Sequence, residues 1–72
     1  MILTDAEIRI AYNHACHGAS AAERWHARDA IQDHLRETGA SLAPLLTRLG
    51  LDITAYFASR PITRPKVREV VG

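Results

Sequence analysis

The 72-residue chain has one cysteine, Cys16, so an internal disulfide is excluded. A reducing compartment is the expectation, with the cytoplasm first. No apolar run approaches the roughly 18–20 residues that a bilayer-spanning helix needs. The opening Met1-Ile2-Leu3-Thr4-Asp5 lacks the basic start and long apolar stretch of a secretory signal. Aromatics are scarce: Tyr12, Trp25, Tyr56 and Phe57 are the whole set. Large apolar side chains are few as well. Of 34 apolar residues 12 are alanine, which leaves 22 to build a core. So short a chain hides a smaller fraction of its surface than an average domain, and dimerisation or a partner is the natural supplement.

Net charge is also small, at +1, and does not by itself point to nucleic acid. Its distribution is more informative. Residues 1–39 carry six acids and four bases, whereas residues 40–72 carry five bases and two acids. Arg60, Arg64, Lys66 and Arg68 follow one another with no acid among them, so positive charge gathers in a segment spanning 60–72.

What is present reads as helix. Thr4-Asp-Ala-Glu7 is a capping box opening a helix to about Cys16, with Leu3, Ile8, Ala11, Tyr12 and Ala15 on one face and Asp5 and Arg9 paired on another. His17-Gly18-Ala19 breaks it. Ser20-Ala-Ala-Glu23 is a second capping box, and its helix reaches Glu37 or Thr38 with Gly39 as the stop. The stripe of Ala21, Trp25, Ile31 and Leu35 is interrupted by Arg28 and Gln32, which suits a partly exposed helix. Ser41 is the expected cap of a third helix, with Pro44 in its first turn and Leu42, Leu45, Leu46 and Leu49 at helical spacing. This leucine helix is expected to be central. Asp52 caps a short helix over residues 53–59, and Pro61 ends it. For the remainder, Thr63 as cap and Pro65 in the first turn favour a terminal helix over a strand or loose arm. The fold expected is all-α: one domain, a small orthogonal bundle of four short helices, or five with the last.

Three groups invite chemistry. His14, Cys16 and His17 cluster with His26 and His34 on the next helix. However, Cys16 points about 100° from His17 on a helix, and the spacing of a tetrahedral zinc site is missing. No metal and no cofactor are expected. Cys16 as a nucleophile would need a base at hydrogen-bond geometry and a pocket that so short a chain has little room for, so no catalytic residue and no small-molecule substrate are assigned. Trp25 is either a core residue closing the contact of the first two helices or an interface anchor, with Arg28, Arg24 or His26 placed to stack on it.

The C-terminal half resembles helix-turn-helix DNA-binding proteins in two registers over 20–30 residues. In the first, the leucine helix is followed by the turn Gly50-Leu51-Asp52 and a recognition helix Ile53–Ser59, with Leu51 and Tyr56 at buried positions. Ser59 departs from the apolar residue expected next. In the second, the turn is Arg60-Pro61-Ile62-Thr63 and the recognition helix Arg64–Val71, with Ile62, Val67 and Val70 at the apolar spacing. Pro61 and Phe57 depart from the glycine and the small residue usual there. The resemblance implies a dimer that acts as a transcriptional regulator and spans two half-sites of double-stranded DNA. Thr63, Arg64, Lys66 and Arg68 would touch DNA, supported by Arg48, Thr54, Tyr56 and Arg60. The competing reading is a protein-binding adaptor or inhibitor of phage or plasmid type, working through Arg24, Trp25, Arg28, Asp29 and Asp33.

Overall fold

The computed structural model describes residues 1–62, and these form a small all-α bundle of four helices. They are α1 (Asp5–His17), α2 (Ala21–Thr38), α3 (Leu42–Arg48) and α4 (Ile53–Ala58). The expected terminal helix, its strand or arm alternative and the second helix-turn-helix register lie outside the described residues. No helix among those described is long and apolar enough to cross a membrane.

Local chemistry explains the boundaries. The Thr4 hydroxyl accepts the Glu7 N–H, and the Glu7 carboxylate accepts the Thr4 N–H at 2.8 Å, so the first capping box is complete. At α2 the Ser20 hydroxyl holds the Glu23 N–H, but the Glu23 carboxylate reaches back one residue further, to the Ala19 N–H at 2.7 Å. Gly39 ends α2 at φ 73°, a conformation that costs other residues steric strain. Asp52 caps α4 through the Thr54 N–H. Ser41 precedes α3 as expected, yet its side chain makes no capping bond.

Ile8 and Ala15 of α1, Ala27, Ile31 and Leu35 of α2, Leu45, Leu46 and Leu49 at α3, and Tyr56 of α4 make the core. The most extensive pairing is α1 on α2. The leucine helix is therefore not the hub, although Leu46 is fully buried. That place belongs to α1, because its polar side chains reach the ends of the other helices. Arg9 donates to the Leu49 carbonyl at 2.8 Å, and the Tyr12 hydroxyl donates to the Asp52 carbonyl at 2.7 Å. The expected Asp5–Arg9 pair gives way to these longer-range bonds. Asp5 instead takes both terminal nitrogens of Arg48, at 3.1 and 3.2 Å. Buried His34 accepts the Leu3 N–H on Nδ1 at 2.9 Å, which seats the chain ahead of α1 on α2.

Candidate binding cleft between α2 and α4

Arg28 sits in the apolar stripe of α2, three residues from Trp25 and three from Ile31, so packing the stripe carries the guanidinium inward. It ends 6% exposed. Its Nη2 donates to the Tyr56 carbonyl and lies 3.5 Å from the Ala15 carbonyl and 3.4 Å from Ser59 Oγ. Ala15 and Tyr56 are in the last turns of α1 and α4, where carbonyls have no partner within the helix and the helix dipole is negative. One cation thus bonds the end of α4 and borders the end of α1. The guanidinium carbon also stands 4.2 Å from the centre of the Tyr56 ring, whose other contacts are a stacked Tyr12 and an edge-on Phe57. Burial pushes the Tyr56 phenol up from its usual value, and Arg28 partly opposes the shift.

Among the described residues, the outer edge of this arrangement borders a cleft. A cleft of about 250 Å³ lies over Arg28 and Tyr56, walled by Trp25, Phe57 and Arg60, with Asp29 and Gln32 at α2. Arg60 lies 5.3 Å from the Trp25 ring centre, within the range of cation–π attraction. Phe57 remains 58% exposed, although apolar burial is in short supply in this chain. Among the described residues the Nε of Arg28 is buried without a hydrogen-bond partner. A buried cation so placed favours an incoming anion.

The structure mixes the two sets of residues drawn from the sequence. Trp25, Arg28 and Asp29 come from the adaptor set and Tyr56 and Arg60 from the DNA set, yet all five line one cleft. Arg28 is an interior residue and not an interruption of the stripe, and it stacks on Tyr56 where Trp25 was expected. Tyr56 is 5% exposed and turned into the core, so it presents no surface to a duplex. Arg48 is engaged by Asp5. Thr54 is exposed on α4, beside the Asp52 carboxylate that caps the helix. Arg24 turns to the loop after α1, donating to the Gly18 carbonyl at 2.9 Å. Asp33 binds the Met1 ammonium, which holds its carboxyl below the usual range, and lies 3.7 Å from Arg36. Thr63, Arg64, Lys66 and Arg68 lie outside the described residues. The sequence reading missed Phe57 as a wall of the site. The signal was there, an aromatic next to Tyr56 on a helix too short to bury both.

Cys16 lies half-buried against the core on α1, and among the described residues no group of three or more His, Cys, Asp or Glu could hold a metal. No protein-family model, no curated protein and no solved structure matches the chain.

Proposed function

We propose that this protein is a small non-enzymatic adaptor that docks a segment of a partner protein in the α2–α4 cleft, the segment carrying a carboxylate beside an apolar side chain. The observation that carries the reading is the buried Arg28 guanidinium, its Nε without a partner among the described residues, in a cleft that also holds Trp25, Tyr56 and Phe57. Two arginines against one aspartate give the cleft a positive balance, which a carboxylate complements. Exposed Phe57 and the Trp25–Arg60 stack match the composition of interface anchors, which are enriched in aromatics and arginine. At about 250 Å³ the cleft sits below the usual range of small-molecule pockets, and a single anchoring side chain suits it better than a whole substrate.

The test is an NMR titration of labelled protein with N-acetyl-leucine and, separately, with its carboxamide. The carboxylate is expected to shift the Trp25 indole N–H and the Arg28 Nε–H, and the carboxamide to leave them in place. Equal response to both compounds, or shifts confined to another face, would refute the reading. Phe57→Ser, an exposed substitution, should abolish the response while helix content is retained.

Nucleic-acid binding by a dimer is the second reading, and two observations favour it. Four bases without an acid fall between residues 60 and 68. The turn after α3 carries Gly50 at φ 72°, at the glycine position of the first helix-turn-helix register, with Tyr56 buried as that register asks. Against it, α4 is six residues long, carries no charge and exposes Phe57 where phosphates would lie. A regulator of this kind should bind random duplex DNA with a steep loss on adding salt, and the triple change Arg64→Ala, Lys66→Ala and Arg68→Ala should abolish binding. An adaptor tolerates that triple change and fails with Trp25→Ala.

A further inference from the structure

A second surface stands apart from the cleft. Between α1 and α2 runs a largely apolar groove of about 290 Å³, lined by Glu7, Ile10, Ala11 and His14 on one side and Glu23, His26, Ala27 and Ala30 on the other. Its alanines keep the floor low and allow close approach of another helix. Ile10 at its edge is 58% exposed, and Met1, which also lines it, is 68% exposed. Two of the larger apolar side chains in a chain with few are therefore spent on the outside of this one groove.

The charges along the groove suggest what covers it. On α1 the lining residues are Glu7, Ile10, Ala11 and His14, one face of the helix at spacings of three and four. The first turn of α1 is acidic and its last turn carries His14 and His17. Glu7 and His14 are equidistant from the midpoint between Ile10 and Ala11. A two-fold axis through that midpoint lays α1 antiparallel to its own copy, with Glu7 facing the second copy's His14 twice over. The same axis opposes the helix dipoles favourably. Ile10 of each chain then enters the groove of the other, over Ala27 and Ala30. The surface is complementary to itself, as a closed two-fold interface requires.

We infer that the α1–α2 groove is the dimerisation face of this protein, occupied by α1 of a second copy with Ile10 as the reciprocal anchor. The inference does not rest on the adaptor reading, because the cleft lined by Trp25 and Phe57 shares no lining residue with the groove.

Sedimentation equilibrium of the full chain over a hundredfold concentration range tests it. A monomer–dimer equilibrium is expected, with Ile10→Glu weakening it by about tenfold or more through loss of two buried anchors. His14→Glu, which sets like charges opposite each other, should weaken it as well. Far-UV circular dichroism should show unchanged helix content in both variants, since Ile10 and His14 are exposed. As a second measurement, Ile10→Cys in a Cys16→Ala background should give a disulfide-linked dimer on mild oxidation. A chain that is monomeric throughout the range overturns the inference. So does a dimer that is indifferent to Ile10→Glu, or one that dissociates instead on Phe57→Ser.

Discussion

Arg28→Ala is the substitution in which the interior role of that guanidinium is most open to refutation. The loss has three parts. A hydrogen bond from a charged donor to the Tyr56 carbonyl contributes about 1.5–3 kcal/mol. The contacts at 3.4 and 3.5 Å are too long to add much. The stack on Tyr56 at 4.2 Å, shielded from water, adds about 2 kcal/mol. Truncating the stem removes two methylenes, about 0.8 kcal/mol each. Against these stands relief of the several kcal/mol that burying an ion costs. The net expectation is a destabilisation of about 2–3 kcal/mol, a large share of the roughly 4–11 kcal/mol available to a domain of this length. Urea denaturation followed by circular dichroism reads it directly, and the melting temperature should fall by about 10–20 °C. Arg28→Met keeps the stem and should lose less than Arg28→Ala. If Arg28→Ala changes stability by less than about 0.5 kcal/mol, as an exposed substitution would, Arg28 does not tie α2 to α4. If Arg28→Met exceeds the wild type in stability, the charge costs more than its bonds return and the sign of the argument is wrong.

A Cβ at Gly18 would stand 2.6 Å from the His14 carbonyl oxygen, which is backbone and cannot swing aside, so Gly18→Ala should cost about 1–3 kcal/mol in the same urea assay. Asp5, bonded by Arg48, and Asp33, bonded by the Met1 ammonium, both have carboxyls held below the usual value. Their folded pKa lies under the unfolded one, so their contribution is present above about pH 3.8 and disappears as acid takes the pH through the folded values; Asp5→Asn should flatten the acid limb of a stability–pH curve, and an unchanged limb would show that the pair contributes nothing. The Tyr12 and Tyr56 phenols are both raised, by burial first, so the folded state favours them neutral. Stability should be level below about pH 10 and decline above it, and Tyr56→Phe should soften that decline in alkaline melts.

The pattern of what the sequence disclosed follows from the range of the interactions concerned. The Thr4–Glu7 box, the stop at Gly39 and the Asp52 cap each involve residues within four positions of one another, so spacing alone shows them. The partners of Arg28 are 13 and 28 residues away, and the Leu49 carbonyl that Arg9 serves is 40 away. No periodicity encodes such distances. They depend on where three helix ends arrive once the apolar stripes have packed. The same limit explains why the adaptor and DNA residue sets looked separate along the chain. Trp25 and Arg60 are far apart in sequence and become neighbours because Arg28 of α2 stacks on and bonds to Tyr56 of α4. An arginine inside an apolar stripe, followed later by a short aromatic helix, is itself a readable sign. Burying it requires a carbonyl acceptor and a ring, and here Tyr56 of α4 supplies both. The stripe of α2 is therefore one residue wider than its apolar members. Arg28 counts among its interior members, while exposed Gln32 still interrupts it and leaves the helix partly exposed.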